Sequence, residues 1–250
     1  MKTTLFTYLL FPTCYFLVTT SILHAQDDPA APTRVWNPVP KTVKPGKTAA
    51  DAPSDAIVLF DGKSLANWKK ENGSASTWKL DNNAMTAVKD AGDIHTKKGF
   101  GDCQLHIEWR TPAEVKGEGQ GRGNSGIFFM GRYELQVLDS YKNSTYVNGQ
   151  AGSMYKQYIP LVNACRPPGE WQSFDVIFTA PQFNADSSLK TPARITVMQN
   201  GVLIQNNVVL WGNTVNEGIP QYIPHAAKLP LVLQDHGDPV SYRNIWIREL

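Results

Sequence analysis

Apolar and polar residues alternate along several stretches of the chain. Every second residue from Cys103 to Trp109 is apolar, and Phe174, Val176 and Phe178 repeat the pattern. A period of two is that of a β-strand with one buried face. Between Val197 and Val202 lies an Asn-Gly pair, which supplies the two positive φ angles of a type I′ hairpin turn. We therefore predict strands over these stretches and a hairpin at the Asn-Gly pair.

Shorter apolar and β-branched clusters predict more strands, at 57–60, 78–80, 84–88, 127–130, 135–137, 231–234 and 242–249. No window shows a sustained helical stripe free of Gly and Pro. Many short strands with turns between them favour two packed antiparallel sheets. The predicted fold class is an all-β sandwich.

The amino-acid composition excludes several classes of protein. The 250 residues include 24 basic and 22 acidic side chains, so the net charge is +2 and only 18% of residues are charged, against about 25% in an average protein. The basic residues form no run longer than a pair, which excludes a nucleic-acid footprint. The 10 Phe, 9 Tyr and 7 Trp residues exclude most disordered chains. Low charge with many aromatic residues favours a β-rich protein that handles neutral ligands.

The first 55 residues carry targeting and linker signals. Lys2, an uncharged stretch from Leu5 to Leu23 and Ala25 before a polar run predict a secretory signal peptide over residues 1–25. An uncleaved membrane anchor is the alternative, because the stretch is nearly long enough to span a bilayer. Residues 26–55 are rich in Pro, Ala, Thr and Lys, and we predict that they form a flexible leader. We predict that residues 56–250 form a single domain. The protein is then exported, periplasmic or extracellular, with no membrane contact after cleavage.

Two cysteines, Cys103 and Cys165, belong to the predicted domain. In an exported chain they form either a disulfide or two free thiols, and the sequence leaves both open. There is no CxxC spacing, which argues against a structural zinc site.

Six motifs appear in an order that identifies a family. They are LFDGKSLANW at 59–68, QLHIEWR at 104–110, GNSGIFF at 123–129, YELQVLD at 133–139, RPPGEW at 166–171, and LQDHG at 233–237 with RNIW at 243–246. Together they resemble the 3-keto-disaccharide hydrolase family over residues 56–250. The resemblance implies a concanavalin-like jelly roll. It also implies a small-molecule carbohydrate substrate, a glycoside whose C3 hydroxyl has been oxidised to a ketone.

The YELQVLD segment offers two kinds of chemistry. Glu134 and Gln136 share one strand face, and a one-residue bulge would return Asp139 to it. Glu134 and Asp139 would then resemble the carboxylate pair of a retaining glucanase. A 3-keto substrate instead permits β-elimination, because the ketone acidifies the neighbouring C2–H. For that reaction we expect Glu134 to be the base, with the Gln136 amide donating a hydrogen bond.

His236 is the second candidate for proton transfer, because an ordinary histidine titrates near neutral pH. Arg243 is expected across a strand pair from Gln234 and His236. The candidate substrate-binding residues are polar or aromatic side chains near the predicted strands: Glu108, Arg110, Asn124, Asp139, Tyr155, Trp171, Gln234 and Arg243.

A metal and two other functions stay open at this point. Glu134, Asp139 and His236 would hold a divalent ion if they converged, so no cofactor is assigned. The leading prediction is an exported enzyme that cleaves 3-keto-glycosides. The alternatives are a non-catalytic carbohydrate-binding jelly roll and a conventional glucanase-like hydrolase.

Overall fold

The computed structural model describes residues 30–250, and its regular structure is almost entirely β, with 4% helix and 37% strand. The described residues up to Thr42 belong to one compact unit and contain a 3₁₀ turn at Ala31–Thr33. Val43–Leu250 form the other unit. The predicted signal peptide lies outside the described residues, and the predicted domain limits stay predictions. No helix in the described part is both long and apolar enough to cross a membrane.

Fifteen strands follow one another in the described part of the chain: β1 (Ile57–Phe60), β2 (Trp68–Lys70), β3 (Lys79–Asp81), β4 (Ala84–Thr86), β5 (Ile94–Phe100), β6 (Cys103–Arg110), β7 (Ser125–Phe129), β8 (Tyr133–Val137), β9 (Gln172–Thr179), β10 (Gln182–Phe183), β11 (Leu189–Thr191), β12 (Arg194–Gln199), β13 (Val202–Val209), β14 (Leu229–Leu233) and β15 (Ser241–Glu249). Two 3₁₀ turns, Gly119–Gly121 and Val147–Gly149, lie in the loops beside β7 and β8.

These strands form two large antiparallel sheets. The eight-stranded sheet has the order β13-β12-β9-β6-β15-β4-β3, with β1 paired to β15. The five-stranded sheet has the order β2-β5-β14-β7-β8, and β10 and β11 form a separate ribbon. This is the two-sheet jelly-roll sandwich that the sequence predicts.

The alternating pattern fills the space between the sheets. Leu105, Ile107 and Trp109 on β6 point inward with no exposed surface, and Leu135 does the same from β8. The rings of Phe129 on β7 and Phe178 on β9 stack at 4.8 Å and join the two sheets. Each large apolar side chain buried in this way contributes about 1.5–3 kcal/mol to stability. The residues between them in sequence must therefore point away from the core.

The predicted hairpin is confirmed. Asn200 and Gly201 have φ angles of 52° and 80°, and they connect the paired strands β12 and β13. Both positive values are those that a type I′ turn requires.

Cys103 and Cys165 are free thiols. Cys103 points into the core, where burial raises the pKa of its thiol to about 12. Cys165 lies in the loop before β9, and its Sγ accepts a hydrogen bond from Gln199 Nε2 at 3.2 Å.

Candidate active site

A cavity of about 250 Å³ opens on the outer face of the five-stranded sheet. Glu134 and Gln136 face it from β8 because Tyr133, Leu135 and Val137 point into the core. The residues lining the cavity are mostly polar and come from three strands and their loops: Asn124, Phe128, Glu134, Gln136, Tyr155, Thr214, Asn216, Gln234 and His236.

Glu134 is a buried carboxyl group in the wall of this cavity. It is only 6% exposed, and burial raises the pKa of its carboxyl to about 8, with repulsion from Asp93 acting in the same direction. Its backbone N–H donates to Thr214 Oγ1 at 3.0 Å, and its carbonyl accepts the Tyr155 N–H at 3.2 Å. The backbone is therefore fixed, and the carboxylate, once ionised, is a stronger base than an exposed one.

The neighbouring strand leaves room for this side chain at Gly126. In the register of β7 and β8, Gly126 lies opposite Gln136, and Phe128 lies opposite Glu134. A Cβ at position 126 would come within 2.8 Å of Glu134 Oε1 and 2.7 Å of the Phe128 ring. Glycine is therefore needed here for the position of Glu134.

Gln136 is held by the protein itself. It is 1% exposed, and its Nε2 donates to Asn124 Oδ1 at 3.2 Å and to Gln120 Oε1 at 3.3 Å. Both amide hydrogens are engaged, so neither is left for an enolate oxygen in this arrangement. The geometry instead gives Gln136 the task of fixing Asn124 at the wall of the cavity.

The wall opposite β8 is formed by the residues after β14. The Gln234 N–H donates to the Gly126 carbonyl at 3.0 Å and extends the sheet by one residue. The Asp235 carboxylate then accepts the N–H of Gly237 and that of Gly92, each at 3.0 Å. This turn leaves His236 exposed at the mouth of the cavity.

Residues from two loops complete the rim. The hydroxyls of Tyr155 and Tyr146 are 2.6 Å apart, and Tyr155 also donates to Asn216 Oδ1 at 3.5 Å. Burial, together with the bond to Tyr146, raises the pKa of Tyr155. Sequence analysis missed Thr214 and Asn216, since the loop that carries them has no periodicity to mark it.

Asp139 lies outside this cavity, contrary to the bulged-strand hypothesis. Strand β8 ends at Val137, and Asp139 is buried where its Oδ2 accepts from Arg122 Nε at 2.6 Å and its Oδ1 from the Tyr141 N–H at 3.1 Å. It lines a separate cavity of about 140 Å³ together with Arg122. Asp139 thus forms an ion pair with Arg122 and is not available as the second carboxylate of a retaining pair.

The position of Asp139 also separates the three side chains, Glu134, Asp139 and His236, that would have to converge to bind a metal. Asp139 is not beside Glu134 and His236, and no three His, Cys, Asp or Glu side chains among the described residues are arranged to hold a metal ion.

Comparison with known proteins gives the family. Residues 55–248 match the family described as the 3-keto-alpha-glucoside-1,2-lyase-like domain. The chain belongs to this family.

Its relatives agree with this assignment. A 3-keto-disaccharide hydrolase of Bacteroides thetaiotaomicron is 24% identical over an alignment that covers 78% of this chain and 78% of that protein. A crystal structure from Parabacteroides distasonis, described as a candidate glycosyl hydrolase, is 49% identical with a TM-score of 0.84, over 96% of this chain and 100% of that one. A second structure from that organism, with the same description, has a TM-score of 0.56 at 21% identity over 78% of this chain and 94% of that one, and shows the shared fold. These findings indicate a glycosyl hydrolase-like enzyme.

Four predicted binding residues of this lyase-like domain lie on or directly beside its other sheet. Glu108 and Arg243 are paired across β6 and β15 of the eight-stranded sheet, with Nε 2.5 Å from Oε2. The guanidinium carbons of Arg110 and Arg243 lie 4.6 and 4.2 Å from the centre of the Trp171 ring. Trp171 is therefore in contact with two arginines and does not face the Glu134 cavity.

The expected position of Arg243 is wrong. Gln234 follows β14, which pairs with β5 and β7, whereas Arg243 lies on β15, which pairs with β1, β4 and β6. Strands β14 and β15 are adjacent in sequence but belong to different sheets, so these residues face opposite sides of the sandwich.

The charged groups around Glu108 form a network of ion pairs and hydrogen bonds. His106 is 2% exposed, and its Nδ1 lies 2.7 Å from Asp175 Oδ1. Burial alone would lower the pKa of His106, but the bonds with Asp175 and Glu108 outweigh it and raise that pKa to about 9. Asn244 Nδ2 donates to Glu108 Oε1 and to the Ala50 carbonyl, each at 2.9 Å. Because its buried charges are paired, this cluster anchors the segment at Ala50 to the sheet.

Proposed function

We propose that this protein cleaves the glycosidic bond of 3-keto-glycosides by removing the proton next to the ketone. Membership of the lyase-like family and the name of the Bacteroides thetaiotaomicron relative support this substrate class. The geometry of the Glu134 cavity supports the mechanism.

One observation carries the proposal. Among the described residues that line the cavity, Glu134 is the only acid. Retaining and inverting glycosidases both need two carboxyl groups across the scissile bond. Elimination from a 3-keto sugar needs one base, a donor for the enolate oxygen and one acid. The cavity therefore fits elimination better than conventional hydrolysis.

The steps follow from the lining groups. The Glu134 carboxylate takes the C2 proton, and the electron pair moves to the C3 oxygen as an enolate. The C3 carbonyl then re-forms, a C1=C2 double bond appears, and the C1–O bond breaks. His236 protonates the departing oxygen. The products are an alcohol and a 2-hydroxy-3-keto-glycal, and addition of water across C1=C2 gives net hydrolysis.

A donor for the enolate oxygen is also at hand. The Thr214 hydroxyl lines the same cavity as Glu134, and it accepts from the Glu134 backbone N–H, which leaves its own hydrogen for the enolate oxygen. A donor aimed at the developing charge is commonly worth a factor of about 10²–10³ in rate.

The test compares 3-keto-glucosides with their unoxidised counterparts. We expect the protein to cleave the 3-keto-glucosides and to leave the unoxidised glucosides intact. Glu134→Gln should lower kcat/KM by about 10²–10⁴-fold. Glu217→Gln, an exposed glutamate on the same loop as Asn216, is the matched control and keeps the activity. Folded wild-type protein that binds both sugars and cleaves neither would instead indicate a carbohydrate-binding jelly roll.

We also propose that the protein is exported. Lys2, the uncharged stretch up to Leu23 and Ala25 support cleavage after residue 25. Amino-terminal sequencing of protein from the periplasmic fraction would begin at Gln26. A start at Met1 in the membrane fraction would indicate an uncleaved anchor.

A further inference from the structure

Lys156 has an unusual backbone conformation beside the cavity. Its φ angle is +59°, a left-handed value that is uncommon for a residue with a Cβ. Its N–H donates to the Asn148 carbonyl at 2.8 Å, which holds the turn. Such conformations persist where the surrounding structure requires them, and they concentrate at functional sites.

The conformation brings the Lys156 ammonium to the rim of the cavity. Nζ donates to both the carbonyl oxygen and Oδ1 of Asn216, the latter at 2.8 Å. It also lies over two aromatic rings, 5.3 Å from the centre of Tyr155 and 5.8 Å from that of Tyr146. One side chain thus connects the loop after β8 with the loop after β13. Asn216 and Tyr155 both line the cavity, so this connection defines its rim.

The same ammonium acts on Glu134. Burial and the Asp93 carboxylate both raise the pKa of Glu134, whereas Lys156 lowers it. The other ionisable groups nearby are the phenols of Tyr155 and Tyr242, which interact with Glu134, and His236 on the opposite wall. Lys156 therefore supplies positive charge that favours the ionised form of Glu134, whereas burial and Asp93 favour the protonated form.

We propose that Lys156 is a positioning residue, which ties the Asn216 loop to the Tyr155 side of the rim and places a positive charge at the cavity that Glu134 lines. The proposal rests on Glu134 being the base of the proposed reaction. It assigns to Lys156 a task that neither the sequence motifs nor the family match indicates.

The test is a titration of Glu134 that requires no substrate. The carboxyl carbon of Glu134 is followed by ¹³C NMR against pH and assigned with Glu134→Gln. In Lys156→Met we expect the midpoint to move upward by roughly half a pH unit to one pH unit. Lys156→Arg keeps the charge and should keep the midpoint near the wild-type value. Both variants retain a Cβ, so the backbone strain at position 156 is equal in all three proteins.

Lys142 provides the matched control. It is also a lysine with a positive φ, 49°, and its ammonium lies 5.4 Å from the centre of the Tyr141 ring, but it does not line the cavity. We expect Lys142→Met to leave the Glu134 midpoint unchanged. Amide hydrogen exchange in residues 211–220 should become faster in Lys156→Met and not in Lys142→Met.

The outcomes separate this inference from the proposed function. An unchanged Glu134 midpoint in folded Lys156→Met would overturn the inference, even if activity fell. A shifted midpoint in a protein that leaves 3-keto-glucosides intact would overturn the function and retain the electrostatic effect of Lys156. Faster exchange without a shifted midpoint would reduce Lys156 to a structural contact and also contradict the proposal.

Discussion

Glu134 sets the pH dependence that we expect of catalysis. With a pKa of about 8, roughly one carboxyl in ten is ionised at pH 7. If the ionised form is the base, the rate of C2 proton abstraction rises about tenfold per pH unit below this value and levels off above it, whereas kcat/KM also needs His236 in its protonated form. The rate of hydrogen exchange at C2 of a 3-keto-glucoside, measured from acid to alkaline pH, checks this. An exchange rate that does not rise between pH 6 and 8 would contradict the assignment of Glu134 as the base.

The same residue weakens the fold as the pH rises. The folded protein keeps a proton on Glu134 that the unfolded chain releases above the ordinary glutamate pKa of 4.5, so the free energy of unfolding falls between pH 4.5 and about pH 8. The loss is at most about 1.4 kcal/mol per pH unit. Denaturant unfolding of Glu134→Gln should show a growing advantage over wild type across this range. A constant difference between the two proteins would contradict the raised pKa.

At the scale of the strand, β7 needs a glycine at position 126 to make room for the Glu134 side chain. Gly126→Ala should displace the Glu134 carboxylate and the Phe128 ring, since the added Cβ comes within 3 Å of both. We expect at least a tenfold loss in kcat/KM, with a small change in melting temperature because the displaced atoms face a cavity. Gly121→Ala is the control, as no atom lies within 4 Å of its Cβ position. Equal activity in both variants would show that Glu134 has room to move.

Strands were predictable where one face is buried. The alternation in β6 and the Asn-Gly turn after β12 depend on neighbouring residues alone, so sequence marks both. Strand β5 was missed because His95, Lys97 and Lys98 interrupt its apolar pattern. In the structure it is held between β2 and β14, a long-range pairing that no local pattern shows.

The candidate site was predictable only in part, for the same reason. Glu134, Gln136 and His236 do line one cavity, because two of them share a strand face and the third follows a neighbouring strand. Asp139 was misplaced because its partner Arg122 lies 17 residues away in the chain. Lys156 was missed because its effect depends on a left-handed backbone and a contact with Asn216.

For the whole molecule, we expect the two outer faces of the sandwich to have separate tasks, with catalysis at the Glu134 cavity and stability at the His106 network. His106→Gln removes a buried charge from between Asp175 and Glu108, and we expect it to destabilise the fold by about 3 kcal/mol. Its activity should stay near the wild-type value at a temperature where it is folded. Glu134→Gln should show the reverse pattern, with activity lost and stability kept or increased. Melting temperatures and kcat/KM for both variants check this, and a large loss of kcat/KM in folded His106→Gln would contradict the separation.

The most direct measurement is made on the product in heavy water. The protein cleaves a 3-keto-glucoside in D₂O, and the deuterium at C2 of the released sugar is measured by mass spectrometry and NMR. Proton abstraction by Glu134, followed by elimination and addition of water, predicts one solvent deuteron at C2. Cleavage that leaves the original hydrogen at C2 would contradict the mechanism and require a second carboxylate at the bond.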